Sequence, residues 1–206
     1  VRYDPFDAVN LPNYSCLVTG ASGAGKSFLN NLILLQYMTQ NPMTFVIDIG
    51  GSYKKLCEFM NGQYIEIAPP KEGETRKTIN PFQLEEGEKK PSSQKIKFLL
   101  ALLESMFTDT DAEKLPKLSK SLLEEAVLAT YEKTGDKTPR LSDLREVLAK
   151  SSERDLQNFS KMLYPWTGDR AYGQLLDREN ELDLKSDFVV FDLKSLSSYP
   201  DLQSVM

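Results

Sequence analysis

Gly20-Ala21-Ser22-Gly23-Ala24-Gly25-Lys26-Ser27 stands between the apolar Cys16-Leu17-Val18 and the run Phe28-Leu29-Asn30-Asn31-Leu32-Ile33-Leu34-Leu35. The central residues satisfy G-x-x-x-x-G-K-[ST], and the flanks read as a strand before and a helix after, the context a phosphate-cradling loop requires. Gly20, Gly23 and Gly25 are expected to let the backbone take positive φ and approach phosphates closely. Successive N–H groups would then face an anion at the positive end of the following helix. Lys26 is expected to reach the β- and γ-phosphates of ATP, and the Ser27 hydroxyl to ligate Mg2+. The candidate nucleotide contacts are therefore Gly20, Ala21, Ser22, Gly23, Ala24, Gly25, Lys26, Ser27 and Phe28. The bland alternative is a glycine-rich turn before an ordinary core helix.

Residues 14 to 69 alternate strand and helix. Strands are expected over Ser15–Thr19, Met43–Ile49 and Gln63–Ala68, with helices over Ser27–Gln40 and Ser52–Met60. Such alternation argues for an α/β fold with a parallel sheet and crossover helices. Residues 70 to 95 are polar, broken by Pro70, Gly73, Pro81, Gly87 and Pro91, and anchored by Ile79-Asn80-Pro81-Phe82. Phe82 is expected to dock on the core from that turn.

From residue 96 to about 165 the period changes to helical. Ile96, Leu99, Leu100, Leu103, Met106 and Phe107 share one stripe, Leu118, Leu122, Ala126 and Val127 a second, Leu141, Leu144, Val147 and Leu148 a third, and Leu156, Phe159 and Leu163 a fourth. Thr138-Pro139 and Ser142-Asp143 are the expected start signals of the third helix. Asp187-Phe-Val-Val-Phe-Asp-Leu then returns a buried strand to the sheet. This divides the chain into a nucleotide-binding core, residues 1–90 and 166–206, and an all-α inserted subdomain, residues 91–165.

Composition limits the chemistry. The 206 residues carry 25 Lys and Arg against 30 Asp and Glu, a net charge of −5, and no histidine. Histidine-dependent zinc sites and triads are excluded, and a dedicated nucleic-acid footprint is absent from the overall balance. Cys16 and Cys57, the only cysteines, are expected to be reduced and packed, as in a cytosolic protein. Nothing approaches the roughly 18 apolar residues in a row that a membrane-spanning helix needs. The start, Val-Arg-Tyr-Asp-Pro-Phe-Asp, has no signal-peptide pattern, and both ends suggest a piece of a longer protein.

Several segments together resemble the TraC-like large ATPases of conjugative transfer and type IV secretion. They are Gly20–Asn30, Phe45-Val-Ile-Asp-Ile-Gly-Gly-Ser-Tyr-Lys-Lys-Leu56, Gly62–Ile65, Ile79–Phe82, Gly173 with Leu175-Leu176-Asp177, and Phe188–Leu193 ahead of Pro200-Asp-Leu-Gln203. The resemblance implies a RecA-like P-loop NTPase core of the HerA/FtsK type, a parallel sheet flanked by helices, interrupted by a helical subdomain. It further implies an ATP hydrolase acting as a homo-oligomer, a hexameric ring, peripheral at the cytoplasmic face of the bacterial inner membrane. Other secretion ATPases and inner-membrane channel proteins would be its partners, with nucleic acid a possible substrate and pilus biogenesis and export the output.

One departure from that family matters. Such a loop normally works with an apolar strand ending in Asp-Glu, and here Phe188–Asp192 ends in Asp but is followed by Leu193. Either the acidic strand lies beyond Met206, or Asp192 is the magnesium partner of a divergent site. Lys26 and Asp48 are the candidate catalytic residues, because Asp48 ends a strand at the carboxyl edge where ligands bind in open α/β sheets. Capping the Gly50-Gly51 turn and the helix after Ser52 is the equal alternative for Asp48. Arg170, in a Gly-Asp-Arg turn, reads as an arginine finger or, more simply, a solvated charge. Tyr164, Trp166 and Tyr172 read as core aromatics rather than base-stacking platforms, and the mixed Glu85–Lys97 run as an exposed loop. Two competing functions remain open: a DNA-translocating ATPase of the same core, and a nucleotide-dependent assembly module without turnover.

Overall fold

The computed structural model describes residues 13–70, 77–108 and 114–205. The amino-terminal start, residues 71–76 of the polar excursion and Met206 lie outside the described residues. Phe188-Val-Val-Phe-Asp192 supplies the central strand, as a short unbroken apolar run does when both of its faces are covered. In chain order the strands are β1 (Thr44–Asp48), β2 (Gln63–Glu66) and β3 (Phe188–Asp192), and their spatial order is β1-β3-β2. All pairing is parallel. Asp48 lies beside Asp192 and Glu66 beside Asp192, so three carboxylates end the strands at one edge.

The helices are α1 (Lys26–Tyr37), α2 (Lys54–Phe59), α3 (Ser93–Phe107), α4 (Lys117–Thr134), α5 (Leu141–Ala149), α6 (Arg154–Met162), α7 (Gly173–Leu176) and α8 (Pro200–Val205). Alternation along β3 splits them between two faces. Phe188 and Val190 pack with Cys57 of α2 and the partly buried Leu34 of α1. Val189 faces the larger core, where Ile65, Phe82, Leu99, Leu123, Leu144 and Leu163 meet. Each such fully buried side chain contributes about 1.5–3 kcal/mol relative to exposure, so this second face holds most of the stability.

Local chemistry sets the element ends. After α1 a 3-10 turn, Met38–Gln40, stops at Asn41 in the left-handed region, and Pro42 follows. Ser92 caps α3, its Oγ accepting from the Lys95 N–H at 3.2 Å. The start of α5 falls at Leu141 rather than at Thr138-Pro139: Asp143 reaches back to the Arg140 N–H at 2.9 Å, and the Ser142 N–H is taken by Asp177 at 2.8 Å. Two carboxylates outcompete the hydroxyls there because a charged acceptor bonds more strongly. The Ile79–Phe82 anchor behaves as expected. Asn80 Oδ1 accepts from the Phe82 N–H at 2.9 Å, its amide donates to the Pro139 carbonyl at 2.9 Å, and Phe82 is fully buried.

Three sequence expectations are corrected. Ser15–Thr19 forms no strand; Leu17 is 87 % exposed, and β1 takes its ladder from β3 instead. An apolar run specifies strand character but not a partner, and a strand without a ladder is not stable in water. Cys16 is consequently exposed, while Cys57 is packed as expected. Leu118, assigned to the α4 stripe, points outward, and Leu123 takes the buried position, a rotation of the stripe around the helix.

Candidate functional site

Gly25 immediately precedes α1 with φ 87°, and Gly23 has φ 79°. A Cβ on either would be strained at that φ even though nothing stands within 4 Å of it, so backbone geometry rather than crowding calls for glycine. Gly20 has no positive φ, which corrects the expectation that all three glycines turn the chain this way. The amino end of α1 has no side-chain cap and no acidic residue in its first turn. Its first N–H groups lack intrahelical acceptors by construction, so the helix presents free donors and a positive dipole end to the loop.

Lys26 is folded back over this loop. Its Nζ donates to the Gly20 carbonyl at 2.8 Å and the Ala21 carbonyl at 2.9 Å, spanning the loop from within. The ammonium is thus already positioned above Gly20–Gly25, held by neutral acceptors that an anion would outcompete. Ser27 follows in the first turn of α1. Donor set, glycine conformations and uncapped helix end fit a triphosphate with its magnesium. Ala21, Ser22 and Ala24 form the exposed rim of the loop, and Phe28 is 75 % exposed.

Asp48 stands at the carboxyl end of β1 with both oxygens engaged. Oδ1 accepts from the Gly50 N–H at 3.0 Å, and Oδ2 from the N–H groups of Ser52 and of Tyr53 at 3.3 Å. This is the capping geometry that stood as one of its two readings. The Gly50–Tyr53 turn is thereby fixed beside α1, and the Asn31 amide crosses between them: Nδ2 is 2.8 Å from the Ser27 carbonyl and 3.5 Å from the Ser52 carbonyl.

Asp192 is occupied too. Tyr64 donates its phenol to Oδ2, and the Lys194 N–H donates to Oδ1 at 2.8 Å. Burial first, then the bond to Asp192, raises the Tyr64 phenol well above its ordinary range, so it stays a donor. Glu66 accepts from the Ser195 hydroxyl at 2.7 Å. Among the described residues no group of three or more His, Cys, Asp or Glu side chains is arranged to hold a metal ion.

Arg170 makes its contacts with Tyr164 and Thr167, just after α6. Its guanidinium lies 3.9 Å from the Tyr164 ring centre and donates to the Thr167 carbonyl at 3.1 Å, with Arg145 at 5.1 Å from the same ring. The Arg170 hydrogen bond and charge hold the Tyr164 phenol below its usual value. Trp166 is buried against Tyr172, as expected of core aromatics, but Tyr164 is exposed. Sequence reasoning missed Asn31, Tyr64 and Ser52; the one available signal was an amide, Asn31, one helical turn after Ser27 in an otherwise apolar stretch.

Comparison with known proteins agrees with the resemblance drawn from the motifs. Protein TraC of Escherichia coli (strain K12) is 27 % identical over 210 residues, covering 96 % of this chain and 22 % of TraC. The structure of VirB4 of Thermoanaerobacter pseudethanolicus is similar in fold, with a TM-score of 0.73 at 24 % identity, over 90 % of this chain and 51 % of that one. This chain therefore spans about a fifth of TraC and about half of the VirB4 chain. The family model of the TraG P-loop domain matches residues 1–206, and the chain belongs to that family.

Proposed function

We propose that this chain is the ATP-binding motor portion of a conjugative-transfer or type IV secretion ATPase. The observation that carries the reading is the uncapped start of α1 behind two left-handed glycines, with Lys26 already lying across the loop. Bound Mg-ATP would supply the phosphoanhydride bond and the metal charge that eases its cleavage. The backbone from Gly20 to Phe28 binds the phosphates, Lys26 exchanges its two carbonyl partners for phosphate oxygens and steadies the developing charge, and Ser27 gives its hydroxyl to the metal. Asp48 organises the turn beside the loop, and through it acts on catalysis by position. Residues 91–165 serve as an inserted helical subdomain on a core formed by 1–90 and 166–206. Turnover in a homo-oligomeric ring, peripheral at the cytoplasmic face of the inner membrane, would drive pilus biogenesis and export of DNA or protein alongside other secretion ATPases and channel proteins.

A second reading has its own support. Asp48 and Asp192, opposite each other at the ends of β1 and β3, each accept N–H or phenol hydrogen bonds on both oxygens, which commits them to holding the turns that follow their strands. That favours nucleotide binding that organises an assembly, without turnover by these residues alone. Titration with a fluorescent ATP analogue and magnesium, beside Lys26→Ala, followed by phosphate release on the same samples, tests both readings. Binding lost by about 100-fold in Lys26→Ala supports the site, in line with the loss of several charge-assisted bonds. Release by the parent chain supports the motor, binding without release supports the assembly module, and no binding overturns both.

A further inference from the structure

Asn31 Oδ1 is a buried side-chain oxygen with no hydrogen-bond partner, the only such side-chain atom found among the described residues. Its orientation is not arbitrary. Both neighbours of the amide nitrogen, the Ser27 and Ser52 carbonyls, can only accept, so the NH2 group must face them and Oδ1 must face away. A flipped amide would set oxygen against two carbonyl oxygens. A buried acceptor left unpaired costs stability, and it gains a full hydrogen bond from a donor that reaches it.

The amide is bonded to the residue that would hold the metal. Asn31 lies in α1 one turn after Ser27, with Nδ2 on the carbonyl of that residue. Across the gap, Ser52 is gripped from two sides: its N–H by Asp48 and its carbonyl by Asn31. The bonds run in sequence from the end of β1, through the Gly50–Ser52 turn, to the serine that follows Lys26. Magnesium bound to a nucleotide keeps several of its waters, and those waters are strong donors to nearby oxygens.

Resting on the nucleotide reading above, we infer that Asn31 is a positioning residue, clamping α1 to the Gly50–Ser52 turn and offering Oδ1 to a metal-bound water. The structure around Ser27 then senses magnesium through an uncharged amide rather than a carboxylate. Its signature is a share of the magnesium tightening that is lost in Asn31→Ala and restored by the acceptor alone in Asn31→Asp, which a purely structural clamp would not restore.

The test measures dissociation constants of a fluorescent ATP analogue for the 206-residue chain, Asn31→Ala and Asn31→Asp, each with magnesium and with a chelator. Urea midpoints check that each variant is folded. Asn31→Ala is expected to lose about tenfold of the tightening that magnesium gives, the worth of one good hydrogen bond, with affinity in chelator within about twofold of the parent. Asn31→Asp keeps an acceptor and adds charge, so its magnesium tightening is expected to equal or exceed the parent's, while its affinity in chelator falls because the added carboxylate repels phosphates that carry no metal. Equal weakening of Asn31→Ala in both conditions, or an Asn31→Asp response that copies Asn31→Ala, would overturn the inference and leave the nucleotide site standing. A parent chain that binds no analogue overturns the nucleotide reading and this inference together.

Discussion

The α3–α6 helices and the α1–β1 pair use similar apolar residues in opposite ways. Leu99, Leu103, Leu141, Leu144, Leu148 and Leu163 have no measurable exposure, whereas α1 contains no buried residue at all, and Leu32, in the middle of it, is 43 % exposed. On β1, Phe45 and Ile47 also face outward, Ile47 by 73 %. Stability is therefore concentrated on the helical face of β3, and the phosphate loop hangs from the lightly packed face. Regions with few buried contacts open at lower free energy than the core, which suits the exchange of partners proposed for Lys26.

That contrast can be broken most directly by truncation. Leu144→Ala is expected to cost about 2–5 kcal/mol in urea unfolding, through lost burial and the cavity left behind. Leu32→Ala, the same chemical change on α1, is expected to stay within about 0.5 kcal/mol, since exposed sites away from special features rarely matter more. Equal losses at the two positions would mean that α1 is as firmly packed in solution as α5.

Gly62→Ala probes the seam between the two regions. A Cβ there would lie 2.7 Å from the Phe188 carbonyl oxygen and 2.9 Å from Cys57 Sγ, both inside the β3–α2 packing. Forcing those atoms apart is expected to cost about 1–3 kcal/mol by thermal or urea unfolding, with nucleotide affinity weakened as α2 shifts. Unchanged stability would show that the seam yields.

The smallest expected effect is a pH dependence confined to the helical region. Glu104 is held below the ordinary carboxylate value first by its hydrogen bond from Lys120, at 2.8 Å, and also by the Leu115 N–H. A folded-state value below the unfolded one adds stability that is complete above the unfolded value, near 4.5, and fades as pH falls through the folded value. Glu104→Gln should flatten that part of the acid limb by lowering stability at neutral pH by the same amount, a small one because Lys120 is 35 % exposed and the pair is screened. An acid limb identical to the parent's would remove Glu104 from the account.

Much of this architecture was legible in the residues. Helical stripes from Ile96 to Leu163, the Phe188–Asp192 strand, the Asn80–Phe82 anchor and the phosphate loop all depend on local periodicity and local turn chemistry, which a sequence carries openly. Ser15–Thr19 was not legible, because strand formation depends on which neighbour supplies the ladder. Asp48 illustrates the same limit at the site. Its type and position suited either water activation or capping, and only the three N–H groups converging on its carboxylate distinguish the arrangement that forms. Asn31 was hidden for another reason: an amide within an apolar helix looks like surface until its oxygen is found buried.

The two thiols described earlier stand at opposite extremes of accessibility, and this gives the molecule a built-in pair of chemical clocks. Cys16 lies exposed four residues before Gly20, while Cys57 is wholly enclosed behind Phe188 and Val190, its thiol pushed up by burial and by Glu58. An alkylating reagent therefore consumes one sulfur at the pace of free solution and the other only as fast as the α2–β3 layer comes apart. Counting modified sulfurs against time therefore reads opening of the sheet from the second, with the first as an internal reference in the same sample and no label added to the chain.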